Sequence, residues 1–146
     1  VGAGGVGSAI AASMAAEHAA SIAICDLDAE VSHRLVGRLR RVYPQVRAEV
    51  RGNDPEGYDV VVNATPLGMR DDDPLPIDVQ RLSPRTFVGE VVMKDTMTPL
   101  LRAAAAHGCR FQVGTDMLFE MIPAYLEFFG FGTATPEELR AVAGIV

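Results

Sequence analysis

Val1-Gly2-Ala3-Gly4-Gly5-Val6-Gly7 decides the fold, because Gly2, Gly4 and Gly7 fit the spacing G-x-G-x-x-G. The first glycine of such a run permits a tight turn, and the second lets backbone approach a pyrophosphate. The third lets a helix pack close to a sheet. Residues 6–18 follow with apolar side chains at helical spacing, so the loop opens a helix whose N-terminal N–H groups favour an anion. Residues 21–26 (SIAICD) are then a short apolar run ending in Asp26, 19 residues past Gly7. A carboxylate at that point accepts hydrogen bonds from the ribose diol of an adenosine. A glycine turn alone is a weak signal. Loop, helix, strand and acid in this order point to a dinucleotide-binding unit. The strand that should precede the loop is represented by Val1 alone. That strand is central in a parallel sheet and the chain has no initiator Met, so the sequence reads as a fragment that continues upstream.

Working outward, the alternation runs on. Residues 59–63 (DVVVN) are another apolar run, and residues 46–50, 86–93 and 110–113 are expected strands of the same sheet. Short, nearly continuous apolar runs suit strands covered on both faces. Residues 29–42 and 99–107 carry apolar residues at helical spacing. Tyr43-Pro44 stops the first of these, since proline disfavours helix in the residue before it. After Gly114 comes a helix rich in large apolar residues (117–129), then a short final one with Thr135 as N-cap, Pro136 first and Glu138 three after the cap. Residues 68–84, with Asp71-Asp72-Asp73-Pro74, read as a solvated loop. Strands alternating with helices imply parallel strands and right-handed crossovers. The expected fold is α/β, one Rossmann-type, doubly wound parallel sheet over residues 1–146, truncated at its first strand.

Composition narrows the partners. Hydrophobic residues make up 49% and charged residues 22%, which supports a packed core and argues against disorder. With 13 basic and 19 acidic residues the net charge is −6, and there is no basic block, so neither nucleic acid nor an anionic membrane is an expected partner. No apolar run reaches the length of a membrane span. Cys25 and Cys109 have no metal or redox spacing and read as free thiols of a reducing, cytoplasmic compartment.

Asp26 also bears on cofactor choice. The 2′-phosphate of NADP needs cations or hydroxyl donors around it, and an acid there repels it. Cys25-Asp26-Leu27-Asp28 offers two carboxylates and no arginine, while Arg34, Arg38 and Arg40 read as the solvated face of the next helix. NAD is therefore expected over NADP.

Asn63-Ala64-Thr65-Pro66-Leu67-Gly68-Met69 closes a strand and resembles the Asn-Ala-Thr-Pro-x-Gly-Met signature of the shikimate/quinate dehydrogenase family. The glycine loop, Thr98-Pro99-Leu100-Leu101 and Gly114-x-x-Met117-Leu118 fall in that family's order, so the resemblance spans essentially the whole chain. It implies the C-terminal, nucleotide-binding domain of a two-domain oxidoreductase of aromatic amino-acid biosynthesis. Such an enzyme moves a hydride between NAD(P) and a ring hydroxyl or ketone of a cyclic polyol acid. The N-terminal domain would hold the catalytic lysine and aspartate, so no catalytic residue is expected here and the fragment alone should be inactive. Carried over by position, the resemblance implies that Gly2, Ala3, Gly4, Gly5 and Val6 hold the pyrophosphate. Leu27 stands where NADP-dependent members have the arginine of an Asn-Arg-Thr run. Thr65, Val91 and Gly114 fall beside the nicotinamide. Met93 and Met121 stand where many members place a substrate-contacting tyrosine and glutamine. Losing two hydrogen-bonding groups implies changed or loosened specificity.

Other residues have plainer readings. Lys94, Asp95, Asp116 and Glu120 cluster near the expected mouth, with Lys94 read as a strand-end cation in solvent rather than an acid/base. Asp116 suits a helix start, and Met117 and Met121 suit core packing, although Met121 could also face substrate. His18, His33 and His107 read as helix residues, and no metal ligand set is expected. The expected partners are the cyclic polyol acid and the protein's own N-terminal domain, and the reading allows a homodimer. Two rivals stand beside it: a dehydrogenase of another hydroxy acid on the same fold, and a non-catalytic dinucleotide sensor.

Overall fold

The computed structural model describes residues 1–94 and 97–143. Helix α1 (Gly5–Ala16) rises directly from the glycine loop and leads to strand β1 (Ser21–Ile24). Helix α2 (Ala29–Val42) and strand β2 (Arg47–Val50) follow, and β1 and β2 pair in parallel with Ser21 opposite Arg47. Strands β3 (Val60–Asn63), β4 (Phe87–Glu90) and β5 (Arg110–Gln112) form a second parallel set in that order. Helix α3 (Pro99–Ala106) joins β4 to β5, and helices α4 (Gly114–Phe128) and α5 (Pro136–Ala143) end the described chain. This is the expected α/β architecture.

The two strand sets meet through the first residues of the chain. Val1 donates to Val62 O at 2.7 Å and accepts from Ala64 N at 2.7 Å, while Gly2 N donates to Cys25 O at 2.7 Å. Val1 and Gly2 thus occupy the central position of a sheet ordered β2, β1, stub, β3, β4, β5. Beyond the stub the facing edges of β1 and β3 stand apart. A cavity of about 360 Å³ lies between them on the side of α1, walled by Ile10, Ala11, Met14, Ile22, Val60 and Val62. A smaller one of about 70 Å³ opens toward Pro55, Tyr58 and Ile77.

Each half has its own core. In the first, α2 presents Leu35, Val36 and Leu39 at helical spacing to Ile24, Val46 and Ala48. Asp28 caps α2 by accepting from Glu30 N at 2.9 Å. In the second, Val88 is fully buried in β4 against Leu100, Leu101 and Ala104 of α3. Burying each of the Val, Leu and Ile side chains among these contributes about 1.5–3 kcal/mol before entropy is counted.

Several boundaries differ from the sequence reading. Helix α1 ends at Ala16, and His18 sits beyond it with φ +63°, a left-handed turn residue rather than a helical one. The connection from β3 to β4 has no α-helix, and it is not simply a solvated loop. Around a 3-10 turn at Val79–Arg81 it buries Ile77, Val79 and Leu82, which cover the sheet where a helix would otherwise lie. Strand β4 stops at Glu90 rather than Met93 because the N–H of Val92 turns to the carboxylate of Glu90. Helix α4 begins at Gly114, three residues earlier than its apolar run suggests, and leaves Tyr125, Phe128 and Phe129 exposed. The capping box of α5 is present, with Thr135 N donating to Glu138 and Glu138 N donating to Thr135 Oγ1.

Candidate cofactor site

The carboxyl ends of the strands and the glycine loop form one continuous rim. A Cβ built on Gly2 would stand 2.6 Å from Ala64 O and 3.0 Å from Thr65 Cγ2, so the loop lies against the turn after β3. Val91 N donates to Asn63 O at 3.2 Å, joining that turn to the segment after β4. A Cβ on Gly114 would collide with Val92 O and stand 2.9 Å from the Val91 carbonyl carbon, which brings the start of α4 to the same segment. Gly2, Thr65, Val91 and Gly114 are therefore neighbours in a chain of contacts. Open parallel sheets hold their ligands at this end of the strands.

The glycines divide into two kinds. Gly2 (φ +92°) and Gly7 are required by the chain itself, for a Cβ on Gly7 would overlap Gly2 O. Gly4 and Gly5 have nothing within 4 Å of an added Cβ and are exposed. Packing does not explain them, and their bare backbone leaves room for a ligand such as a pyrophosphate to approach closely. The first turn of α1 holds no acidic residue and no side-chain cap, which leaves its end suited to an anion. Ala3 is buried beneath the loop and Val6 is exposed beside it. These residues fit a dinucleotide.

Asp26 has a structural role of its own. Its Oδ2 accepts from Ala3 N at 2.7 Å and its Oδ1 from Asp28 N at 3.0 Å, so it also fastens the glycine loop to the end of β1. The Ala3 and Asp28 N–H groups hold its carboxyl below the ordinary aspartate value. A carboxylate offers about four acceptor sites, and two remain for a diol. Leu27 is fully exposed and brings no cation. Arg34, Arg38 and Arg40 of α2 are exposed, as the reading of a solvated face expects, and two of them also bond back to the protein. Arg38 reaches Ser8 Oγ in α1 at 3.2 Å, and Arg40 Nε donates to Ala48 O at 2.8 Å.

Behind Thr65 and Val91 lies a buried polar cluster that the sequence reading did not single out. Asn63 Oδ1 accepts from Thr65 N and Thr65 Oγ1, and Asn63 Nδ2 donates to Leu67 O and to Glu90. Glu90 also accepts from Val91 N, Val92 N and Thr98 Oγ1. Thr98 caps α3 through Leu101 N. The usable signals were an acid ending an apolar strand at Glu90 and a threonine before proline at Thr98. Nothing in the sequence says that the two meet.

Met93 is 55% exposed and Met121 39% exposed, so Met121 is not the core residue its spacing suggests. Met93 follows the Val91 segment directly, and Met121 lies two turns along α4 from Gly114, about 10 Å by helical rise. Lys94 pairs with Asp71 at 2.8 Å, and Asp73 accepts from Gly68 N and Arg70 N. Part of the acidic run is thus a structural clamp on the turn after β3. Asp116 and Glu120 both bind Arg140 of α5, which stacks over Phe119. Asp95 lies outside the described residues. Among the described residues no group of three or more His, Cys, Asp or Glu could hold a metal, and no helix is long and apolar enough to cross a membrane.

No protein-family model matches the chain. It is similar to the shikimate dehydrogenase (NADP(+)) of Paracoccus denitrificans, 33% identical over 96% of this chain and 50% of that protein. It is also similar to the quinate/shikimate dehydrogenase (NAD(+)) of Corynebacterium efficiens, 36% identical over 89% of this chain and 48% of that protein. The solved quinate dehydrogenase of Corynebacterium glutamicum in complex with NAD matches 99% of this chain and 53% of its own, with 31% identity and a TM-score of 0.81. Along nearly its whole length the chain is therefore similar to shikimate/quinate dehydrogenases. It spans about half the length of the curated relatives it matches, and corresponds to the C-terminal half of these dehydrogenases.

Proposed function

We propose that this chain is the dinucleotide-binding half of an NAD-preferring oxidoreductase acting on a ring hydroxyl or ketone of a cyclic polyol acid such as shikimate or quinate. The observation that supports this most is the rim, in which the glycine loop, Asp26, Thr65, Val91 and Gly114 adjoin at the carboxyl ends of the strands. NAD, when bound, supplies the hydride acceptor or donor. The chain's own residues bind and orient. Gly4, Gly5 and the start of α1 take the pyrophosphate, and Ala3 and Val6 flank it. Asp26 takes the adenosine diol with its free lone pairs. Thr65, with backbone at Val91 and Gly114, walls the nicotinamide end. Moving the hydroxyl proton falls to a substrate domain outside these residues. The preference for NAD rests on the Asp26 carboxylate and the uncharged Leu27, with Arg38 already engaged by Ser8. The relatives themselves divide between NADP(+) and NAD(+).

A second reading keeps the fold and changes the substrate to another hydroxy acid or polyol ketone. It draws on Met93 and Met121, exposed thioethers at positions where hydrogen-bonding residues stand in many members. The test is an assay of the two-domain protein with NAD and shikimate or quinate, beside the 146-residue chain alone. The proposal expects turnover by the first and none by the second. A two-domain protein that binds NADH yet oxidises neither acid leaves the second reading standing.

A further inference from the structure

Glu90 is 3% exposed at the end of β4, and its partners among the described residues are all donors: two main-chain N–H groups, one amide and one hydroxyl. Placing a carboxylate there costs desolvation that an apolar side chain would not incur. What a carboxylate uniquely offers is acceptance at both oxygens from several segments at once. The segments it gathers are the ones that carry the far rim. Its Oε1 holds Asn63 Nδ2 at 2.9 Å, and Asn63 Oδ1 in turn fixes Thr65 through main chain and hydroxyl at 3.1 and 2.7 Å. The same Oε1 holds Val91 N at 2.8 Å and Val92 N at 3.0 Å, and the Val92 carbonyl is the surface against which Gly114 closes. Its Oε2 holds the Thr98 hydroxyl at 3.0 Å. The adenosine end hangs from other bonds, Asp26 to Ala3 and Gly2 to Cys25, none of which involves Glu90.

We propose that Glu90 is a positioning residue for the nicotinamide end alone, setting Thr65 through Asn63 and setting Val91 and Gly114 through the adjacent main chain. This rests on the reading that the rim holds a dinucleotide. Glu90→Gln keeps the shape and one acceptor oxygen but puts an amide N–H₂ in place of the other, so the two oxygens can no longer accept from all three segments at once.

The experiment titrates the two-domain protein, as wild type, Glu90→Gln and Thr98→Val, with NADH and with ADP-ribose, which lacks the nicotinamide ring. For Glu90→Gln the expected result is a loss of NADH affinity of about tenfold, the size of one or two lost hydrogen bonds, with ADP-ribose within about twofold of wild type. Thr98→Val removes one arm and should show the same selective loss at about threefold. Equal weakening of both ligands means that Glu90 merely supports the fold, and unchanged NADH binding means that it positions nothing; either overturns the proposal. If Glu90→Gln loses its cooperative unfolding transition, Thr98→Val decides: a folded Thr98→Val protein that binds both ligands as wild type overturns it as well. A wild type that binds ADP-ribose but gains nothing from the nicotinamide also overturns it. A wild type that binds neither ligand removes the dinucleotide reading itself, and this proposal with it.

Discussion

Asp26 and Glu90 each stand at the carboxyl end of a strand, one in either half of the sheet, and their surroundings differ in kind. Asp26 is half-exposed, accepts one N–H on each oxygen and keeps lone pairs open to the rim. Glu90 is buried and meets donors from three segments. A carboxylate with open valence can recognise a ligand, whereas one that is saturated can only hold the protein around it. The halves draw on contacts of similar reach, for Ser21 pairs with Arg47, 26 residues on, and Asn63 meets Glu90, 27 residues on.

The largest expected effect concerns the joint between the halves. Extended apolar residues joined ahead of Val1 should enter the slot between β1 and β3 and pair with both edges. Val1 packs toward the core of the second half, so the residue before it should face the roomier cavity beside α1. Ladder bonds of about 0.5–1.5 kcal/mol each, with burial added, should raise Tm by more than roughly 10 °C. Equal stabilisation by a segment rich in proline and charge would show that the two halves do not need this strand.

A second test separates the halves by specificity. In the two-domain protein, Asp26→Asn with Leu27→Arg removes a repulsive charge and adds a fork for a phosphate. The ratio of kcat/KM for NAD to that for NADP should fall by about 10²-fold or more, the scale of two charge-assisted contacts. An unchanged ratio would mean that the first half does not choose the cofactor.

On the other half, Met93→Tyr with Met121→Gln should raise kcat/KM for shikimate by roughly one to two orders of magnitude, about what two hydrogen bonds supply. A wild type already efficient on shikimate, with a double mutant no better, would make both methionines packing residues.

The smallest effect is acid stability. Because the folded-state value of Asp26 is depressed by the N–H groups of Ala3 and Asp28, its contribution is full above the unfolded aspartate value near about 4. It is lost as pH falls through the lower folded value. The Tm gap between wild type and Asp26→Asn should be roughly 2–4 °C at pH 6 and close below about pH 4. A gap that widens in acid would mean that Asp26 is not held by these donors.

What was legible follows the same division. The glycine loop, Asp26 and α2 could be read because spacing within the chain specifies them. The clasp at Glu90 could not, since an acid at a strand end has no visible partner until Asn63 and Thr98 arrive from elsewhere. Residues 68–84 misled because their prolines and aspartates advertise solvent while Ile77, Val79 and Leu82 supply core. In α4 the apolar periodicity is real, yet Met121, Tyr125 and Phe128 remain exposed. Periodicity marks a face and is silent on whether anything covers it.

Titrating the two-domain protein with NADH and NADPH under one buffer tests the central claim most directly. The account predicts saturable binding of NADH, with NADPH weaker by at least about tenfold, the cost of setting a phosphate against the Asp26 carboxylate. Tighter binding of NADPH, or of neither dinucleotide, would contradict it.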